Sequence, residues 1–291
     1  MVIFRKADDV QQYLAKAAQP IGYIPTMGAL HAGHTSLIRQ ARKDGRLTVC
    51  SIFVNPTQFN DPEDFRLYPV TTDADIALLL EAGCDVLFLP DEQAVYPFGT
   101  VMATAYSFGS LEDMLEGAHR PGHFRGVGQV VGRLLEIMQP HYLYMGQKDY
   151  QQCMVIKKLI EAMGLEGKTE LIICPTVREE DGLAMSSRNR RLTEPQRTLA
   201  SVIYQCLISI QSKAGILPFS LVQKECLDLL RQKGFDPEYV ELADADSLEP
   251  LSDYDSSRNM VALIAAKLGK VRLIDNMLIE PVEVTAGAHG R

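Results

Sequence analysis

Short apolar runs alternate with amphipathic stretches over roughly the first 190 residues of the chain. Each run is rich in aliphatic or β-branched residues and predicts a β-strand, and each stretch between runs predicts a helix. Glycines or a proline stand where these helices should end. The predicted strands are 21–24, 47–54, 86–89, 141–145 and 170–174, and the predicted helices are 35–44, 72–82, 127–139 and 149–163.

Strands and helices that alternate in this way pack as parallel strands joined by right-handed crossovers. The expected fold class is therefore α/β, with a doubly wound parallel sheet. Ligands of such sheets bind beyond the carboxyl ends of the strands, so chemistry is expected in the loops that follow strands. The helix at 72–82 opens with Thr72-Asp73-Ala74-Asp75, which resembles a capping box. We expect Asp73 and Asp75 to stabilise this helix start rather than to bind metal.

The pattern changes after about residue 190. Two helical stretches, near 195–212 and 218–233, precede three strand-like runs in close succession, at 239–243, 260–266 and 271–279. Helices followed by near-adjacent strands predict a second, smaller α+β domain with an antiparallel sheet. The predicted domains are 1–184 and 185–291.

Composition narrows the class of protein. The chain has 291 residues and a formal net charge of −8, which argues against a nucleic-acid partner because such partners demand a basic face. The six cysteines form no Cys-x-x-Cys pair, which disfavours a zinc or redox motif and favours buried, reduced thiols. The N-terminal apolar run is too short for a signal peptide, and no run is long enough to span a membrane. A cytoplasmic protein without a membrane partner is expected.

The strongest motif follows the first predicted strand and reads Pro-Thr-Met-Gly-Ala-Leu-His-Ala-Gly-His over residues 25–34. At a helix start, the spacing of His31 and His34 puts both imidazoles on one side. The free N–H groups and the dipole of that helix end favour an anion, and Gly28 and Gly33 allow phosphates to approach the backbone. The motif favours a polyphosphate site over two alternatives, ordinary loop histidines and half of a metal site.

Neutral hydrogen-bonding groups follow the second predicted strand, in the segment 53–59. Asn55 and Gln58 can both donate and accept, which suits a substrate with hydroxyls and a carboxylate. An Asn-Pro turn without a binding role is an equal alternative. The polar stretch 60–69 that follows has no periodicity, and it is either a lid that excludes water or an ordinary surface loop.

A cation and a carboxylate follow the strand at 141–145, in the segment 146–152. Lys148 can balance phosphate charge, and Asp149 can accept hydrogen bonds from ribose hydroxyls. The alternative for Asp149 is a cap on the next helix. Gln152 lies one turn into that helix and is expected to face the same cleft.

Hydroxyls and a cation also lie near the predicted domain boundary, in 175–178 and 185–189. Ser186, Ser187 and Arg188 match the needs of a triphosphate, although a polar turn between domains is the alternative. Clefts often form at such boundaries, which raises the weight of the functional interpretation. His119 and His123 carry less weight.

Taken together, segments 25–34, 53–59, 120–124, 146–152 and 175–189 resemble, in this order, the pantoate–β-alanine ligase family, also called the pantothenate synthetases. The resemblance covers almost the full chain and is weakest in the C-terminal domain. It implies a Rossmann-like nucleotidyltransferase domain, a smaller C-terminal lid domain and a homodimer. It also implies ATP-dependent joining of pantoate to β-alanine through a pantoyl adenylate, with Mg²⁺ and with release of AMP and pyrophosphate.

The resemblance also assigns roles to individual residues. His34 would donate a proton, with His31 and Lys148 as further catalytic residues that neutralise charge. Gln58, Gln152 and Asn55 would bind pantoate, Gln58 would also contact β-alanine, and Mg²⁺ would be carried by ATP without a direct protein ligand. The ATP site would be lined by Met27, Gly28, Ala29, Leu30, His31, Ala32, Gly33, His34, Gly146, Gln147, Lys148, Asp149, Val177, Met185, Ser186, Ser187 and Arg188.

Four positions depart from the family's commoner pattern and put loop contacts, rather than the reaction, in doubt. Ala32 stands where an acidic residue is frequent, Gln147 where Glu is frequent, Arg125 where Asp is usual and Val70 where Arg is common. Two rival functions remain at this point. One is another nucleotidyltransferase with the same histidine motif, and the other is a non-catalytic nucleotide-binding protein on this fold.

Overall fold

The computed structural model describes residues 1–59, 65–66, 68–100 and 106–281. The chain divides into two compact units, Met1–Val177 and Arg178–Arg291. The division falls before the predicted boundary between residues 184 and 185. Most of the segment 60–69, predicted to be a lid or a surface loop, lies outside the described residues.

The first unit contains a six-stranded parallel sheet with the strand order β1-β4-β3-β2-β5-β6. The α/β prediction is confirmed. The strands are β1 (Val2–Phe4), β2 (Ile21–Thr26), β3 (Leu47–Ile52), β4 (Val86–Phe88), β5 (Tyr142–Gly146) and β6 (Glu170–Cys174).

Helices connect these strands. They are α1 (Ala7–Leu14), α2 (Ala32–Lys43), α3 (Thr72–Ala82), α4 (Glu92–Val95), α5 (Glu116–His119), α6 (His123–Met138) and α7 (Tyr150–Ala162). Short 3₁₀ turns lie at Pro56–Gln58, Gly109–Glu112 and Gln147–Asp149. One face of the sheet packs on α2 and α3 through fully buried aliphatic side chains such as Ile24, Ile38 and Leu79, which supplies the hydrophobic stabilisation of this layer.

Two helix starts and one helix cap differ clearly from the prediction. Helix α2 begins three residues early because the His31 side chain accepts the Gly33 N–H and acts as the N-cap. Helix α6 begins at His123, directly after Gly122, whose φ of 81° suits a glycine. The capping box predicted for α3 is wrong. Thr71 is the N-cap and makes no capping hydrogen bond, and the Asp75 carboxylate binds a different loop, as described below.

Strand β2 lies at the point where the strand order reverses. It pairs with β3 on one side and with β5 on the other, and the chain continues from β3 in one direction and from β5 in the other. In doubly wound sheets this reversal leaves a crevice at the carboxyl ends of the two strands, which is where ligands bind. The loops that follow β2, β3 and β5 therefore form the edge of the candidate site.

The second unit combines helices with a three-stranded antiparallel sheet of order β7-β8-β9, as predicted. Its elements are α8 (Glu194–Ala200), α9 (Val202–Lys213), α10 (Phe219–Gln232), β7 (Phe235–Asp244), β8 (Met260–Leu268) and β9 (Val271–Ile279), with a 3₁₀ turn at Ser187–Arg191. The helix predicted at 195–212 is two helices separated at Ser201.

A buried ion pair involves Arg178, the first residue of the second unit. Arg178 makes two hydrogen bonds with the Asp275 carboxylate, of 2.5 and 3.0 Å, and its guanidinium lies 4.4 Å from the centre of the Tyr204 ring. It also donates to the carbonyl oxygens of Gly182 and Asn276. The Asp275 side chain is only 4% exposed, so its charge depends on this partner.

No helix in the described part of the chain has both the length and the apolar character needed to cross a bilayer. All six cysteines are buried and unpaired.

We expect Asp275→Ala to lower the free energy of unfolding by about 3 kcal/mol, because it leaves the Arg178 charge buried without its partner. Urea unfolding measures the change. The matched control is Glu225→Ala, which breaks the more exposed ion pair with Lys213 and should cost less than about 1 kcal/mol. Equal losses in the two variants would contradict a stabilising role for the buried pair.

Candidate active site

The loop after β2 has an unusual backbone that one carboxylate holds in place. Gly28 and Ala29 both have positive φ, at 84° and 49°, and Ala29 and Leu30 are buried. The backbone N–H of Ala29 donates to Asp75 Oδ2 at 2.9 Å, and that of Leu30 donates to Asp75 Oδ1 at 2.8 Å. Asp75 belongs to the first turn of α3 and is 2% exposed. The loop is therefore fixed by a residue far along the chain.

The two histidines of the motif lie side by side at the start of α2. Their ring centroids are 4.1 Å apart, as the sequence spacing predicts. His31 Nδ1 accepts the Gly33 N–H at 3.1 Å, and His34 Nδ1 accepts the His31 N–H at 3.3 Å. Because Nδ1 is an acceptor in both rings, the proton of each neutral imidazole lies on Nε2. Each ring therefore carries its N–H donor on the nitrogen that does not cap the helix.

His34 is held in its neutral form. Burial lowers its pKa from 6.5 to about 4, while Asp149 raises the pKa and Lys148 lowers it. At neutral pH the ring is therefore a hydrogen-bond donor without a charge. The electrostatic influence of Lys148 and Asp149 also indicates that the loop after β5 lies near the histidine loop, as the strand order requires.

The segment after β5 carries the charged groups of the site. Lys148 Nζ lies 3.7 Å from Asp149 Oδ1, and the side chains are 18% and 52% exposed. Asp149 is the N-cap residue of α7, but its side chain makes no capping hydrogen bond. The alternative in which Asp149 serves only as a helix cap therefore loses its support.

Asn55 is the centre of a buried hydrogen-bond network after β3. Its Nδ2 donates to Thr57 Oγ1, Gln58 Oε1 and the carbonyl oxygen of Gly126, at 3.0 to 3.3 Å. Its Oδ1 accepts the Tyr96 hydroxyl at 3.1 Å, and the residue is fully buried. Asn55 therefore orients the Gln58 side chain, and any effect on pantoate would act through Gln58.

Gln58 connects this network to the histidine loop. Its Nε2 lies 2.7 Å from Met27 Sδ, and a thioether is a weak acceptor that a substrate oxygen can replace. The backbone carbonyl of Gln58 accepts from His123 Nδ1 at 2.9 Å, and His123 Nε2 lies 3.0 Å from Arg120 Nη1. Burial and the Arg120 charge lower the pKa of His123 to about 4, so His123 is a neutral support for the turn.

Two adjacent glutamines at the start of α7 have different environments. Gln151 is 2% exposed, donates to the carbonyl oxygens of Leu111 and Met114, and accepts the Glu116 N–H. Gln152 is half-buried, and its side chain has no hydrogen-bond partner within the described residues. Gln152 thus keeps the donor and acceptor expected of a substrate-binding amide.

The remaining predicted residues belong to different parts of the chain. Val177 is the last residue of the first unit. Met185, Ser186, Ser187 and Arg188 belong to the second unit, where Ser186 Oγ accepts the Arg188 N–H at 3.2 Å. Whether these five residues bind ATP stays a prediction.

The four departures from the family pattern all lie at accessible positions. Ala32 and Val70 are exposed, and Gln147 is half-buried. Arg125 is largely exposed and pairs with Glu112 at 2.5 Å.

No cluster of His, Cys, Asp or Glu that could hold a metal ion occurs in the part of the chain that the structure describes.

Sequence reasoning missed two residues that support the site, Asp75 and Tyr96, and gave little weight to a third, His123. The Asp75 carboxylate was assigned to its own helix start, and Tyr96 was given no role. The sequence feature that could have indicated the contact between α6 and this turn is Gly126, which follows His123-Phe124-Arg125. A Cβ at Gly126 would lie 2.7 Å from the Cα of Gln58, so this position needs glycine where α6 passes the turn.

Comparison with known proteins identifies the family. A family model for pantoate-beta-alanine ligase matches residues 2–278. The chain is 46% identical over 262 residues to the pantothenate synthetase of Cytophaga hutchinsonii, covering 89% of this chain and 91% of that protein. The chain belongs to the pantoate–β-alanine ligase family. The resemblance stated from the motifs is confirmed.

Further relatives and solved structures agree with this assignment. The pantothenate synthetase of Porphyromonas gingivalis is 39% identical over 284 residues, which cover 96% of this chain and 100% of that protein. The crystal structure of the pantothenate synthetase from Thermus thermophilus matches with a TM-score of 0.88 and 37% identity, covering 97% of this chain and 100% of that one. The Francisella tularensis pantoate-beta-alanine ligase, complexed with beta-gamma ATP and beta-alanine, matches with a TM-score of 0.79 and 36% identity, covering 96% and 97%.

These matches decide between the functions that the sequence left open. The protein is an enzyme, a ligase of pantoate and β-alanine, and neither a non-catalytic binding protein nor a nucleotidyltransferase of another family. The hydrogen bonds described above can therefore be interpreted for this reaction.

We predict that His34 stays neutral down to about pH 5, with its proton on Nε2, because its folded pKa is about 4. A free histidine with a pKa near 6.5 would be about 90% protonated at pH 5.5. Nitrogen NMR of ¹⁵N-histidine-labelled protein checks this, and the spectrum of His34→Ala identifies the signal. A His34 imidazolium signal at pH 5.5 would contradict the assignment.

The lowered pKa of His34 also makes the stability of the protein depend on pH. Between pH 4 and 6.5 the unfolded chain binds more protons at this site than the folded one, so His34 makes stability fall as pH falls through that window.

We predict that Gly126→Ala raises the KM for pantoate about tenfold or more, because the new methyl group displaces the turn that carries Gln58. The KM for ATP should change less than about threefold. The control is Gly132→Ala in the same helix, where the methyl group would meet the Tyr106 ring at 3.2 Å and no residue of the site. If both variants raised the KM for pantoate equally, the cause would be a general disturbance of α6, and the prediction would be contradicted.

Proposed function

We propose that this ligase makes pantothenate in two steps at the carboxyl ends of β2, β3 and β5, with ATP as a substrate. In the first step a carboxylate oxygen of pantoate attacks the α-phosphorus of ATP, which forms pantoyl adenylate and releases pyrophosphate. In the second step the amine of β-alanine attacks the acyl carbon, loses a proton, and AMP leaves. The proposal is carried by the paired imidazoles of His31 and His34 at the start of α2, of which His34 is held neutral, beside Lys148 at the reversal of the sheet.

The first step needs charge neutralisation and alignment rather than a general base, because the attacking carboxylate is already ionised. Lys148 supplies a fixed positive charge. The Nε2–H groups of His31 and His34, together with the dipole of α2, supply donors where negative charge develops on the phosphates. In this role His34 acts as a neutral hydrogen-bond donor, which refines the proton-donor role that the resemblance implies.

Pantoate is proposed to bind to the amides of Gln58 and Gln152. Gln152 has a free amide within the described residues, and the Nε2 of Gln58 faces a weak thioether acceptor. Asn55 fixes the angle of Gln58. The same Gln58 amide is proposed to contact β-alanine, which would bring amine and acyl group together and lower the barrier by alignment.

ATP is proposed to contact the loops of residues 27–34 and 146–149, together with Val177 and the segment of residues 185–188. The Francisella tularensis relative, solved in complex with beta-gamma ATP and beta-alanine, supports ATP as the nucleotide. Mg²⁺ is proposed to enter with ATP, since the described residues offer no metal cluster, and to screen the phosphate charge. The carboxylate of Asp75 is already occupied by backbone N–H groups.

The cellular setting is also a proposal. We place the enzyme in the cytoplasm as a homodimer, without a nucleic-acid or membrane partner. The acidic net charge of −8 supports the absence of a nucleic-acid partner. Gel filtration with light scattering tests the dimer.

Formation of AMP tests the function. Purified protein with Mg²⁺ and ATP should release AMP in a steady state only when pantoate and β-alanine are both present. Pantoate alone should give a single turnover of pyrophosphate, because the adenylate then has no acceptor. Steady AMP release without β-alanine, or with β-alanine but not pantoate, would reject the proposed reaction.

We predict that His34→Ala lowers the rate of adenylate formation about 10²- to 10³-fold, the range for losing one donor to a developing charge, with a smaller change in pantoate affinity. Rapid-quench measurement of a single turnover checks it. The control is His141→Ala, because His141 accepts the Ile21 N–H at the opposite end of the sheet. An unchanged rate in His34→Ala would remove this residue from the mechanism.

A further inference from the structure

A buried carboxylate outside the predicted site contacts the histidine loop directly. Asp75 is 2% exposed, and within the described residues it forms no salt bridge with Lys, Arg or His. Its oxygens accept the N–H groups of Ala29 and Leu30 and the hydroxyl of Thr71, the last at 3.1 Å. Burying a carboxylate is costly unless hydrogen bonds satisfy it. These three donors, with the positive end of α3, satisfy this one.

The loop that Asp75 holds would not keep its shape by local preference. Gly28 and Ala29 adopt the left-handed region in succession, and that region is unfavourable for an L-residue such as Ala29. A Cβ at Gly28 would lie 3.1 Å from Asp75 Oδ2, so the carboxylate also packs closely against this turn. The loop conformation is therefore imposed by α3 rather than by its own residues.

The hydrogen bonds continue from the carboxylate to the catalytic ring. Three consecutive backbone N–H groups donate to side chains: those of Ala29 and Leu30 to Asp75, and that of His31 to His34 Nδ1. The peptide plane that carries the His31 N–H follows directly after the two planes that Asp75 holds, so fixing those planes restricts where the His31 N–H points. That N–H in turn determines which nitrogen of His34 carries the proton.

We propose that Asp75 is the positioning residue of the adenylation step. It holds Gly28, Ala29 and Leu30 in the conformation that directs the His31 N–H at His34 Nδ1, and so keeps the His34 proton on Nε2, where it faces the substrate. This inference rests on the proposed role of His34. It goes further because it assigns the tautomer of that histidine to a carboxylate on another helix.

The first test separates catalysis from binding. Asp75→Asn keeps the shape of the side chain but places an NH₂ group against a backbone N–H or the Thr71 hydroxyl. The single-turnover rate of adenylate formation should fall about 10- to 100-fold, the range for the loss of a supporting hydrogen bond to a catalytic group. The apparent pantoate affinity should change less than about threefold, because the network of Asn55 and Gln58 has no hydrogen bond to Asp75.

Asp85→Asn is the matched control. Asp85 also accepts a backbone N–H and a threonine hydroxyl, both from Thr48, at 2.9 and 2.7 Å. It lies at the opposite edge of the same sheet, before β4. Both variants should lower the melting temperature, and only Asp75→Asn should slow adenylation. An equal slowing in both, or no slowing in Asp75→Asn, would overturn the proposal.

The second test follows the tautomer itself. Nitrogen NMR of ¹⁵N-histidine-labelled protein at pH 7 should show His34 as the Nε2–H form in the unmodified enzyme and as a mixture of both forms in Asp75→Asn. A role limited to stability would leave the tautomer unchanged. If Asp75→Asn does not fold, Thr71→Val removes one donor to the same carboxylate. It should then slow adenylation about threefold and shift the tautomer in the same direction, and a Thr71→Val enzyme with an unchanged rate and tautomer would overturn the proposal.

Different results would overturn the positioning role of Asp75 and the proposed function of the histidine loop. If His34→Ala slows adenylation and Asp75→Asn does not, the positioning role is overturned and the proposed function stands. If His34→Ala leaves adenylation unchanged, the proposed function of the histidine loop fails, and the positioning role fails with it.

Discussion

The reversal of strand order between β2 and β5 is the constraint on which the site depends. Parallel strands present their carboxyl ends at one edge, and here the two central neighbours lead the chain in opposite directions. Their loops therefore begin side by side and then separate. The paired histidines come from one loop, and Lys148 and Asp149 come from the other. Groups more than 100 residues apart in the chain are thus brought to one edge of the sheet without any local sequence signal for their proximity.

Neutral histidines suit such an edge better than charged ones. Each ring gives Nδ1 to a backbone N–H and carries a donor at Nε2, so the donor exists without protonation. The low pKa of His34 then makes this donor independent of pH across the physiological range. We propose that the positive charge that the phosphates need comes from Lys148 and from Mg²⁺ carried with ATP. The directed hydrogen-bond donors and the positive charge are therefore assigned to different residues.

Much of the fold could be predicted because local patterns decide it. Strand β3 is almost wholly buried and belongs to a run rich in β-branched residues, and the bounds of α3 and β6 match their predicted ranges. Strand β1 was not predicted because its apolar run is only three residues long, and Val2 and Ile3 are each 42% exposed. The start of α2 was placed late because its N-cap is a histidine, which is not among the residues that usually cap helices.

The site could be predicted only in part, because a side chain's role depends on which partners the fold provides. Asp75 at a helix start has an adequate local explanation, and nothing in the sequence shows that it binds a loop 46 residues earlier. Gln151 and Gln152 have the same chemistry and adjacent positions. The Gln151 amide is hydrogen-bonded within the protein, whereas the Gln152 amide has no partner among the described residues. A polar side chain at the carboxyl edge of the sheet is therefore available to bind a substrate only to the extent that the protein itself does not satisfy it.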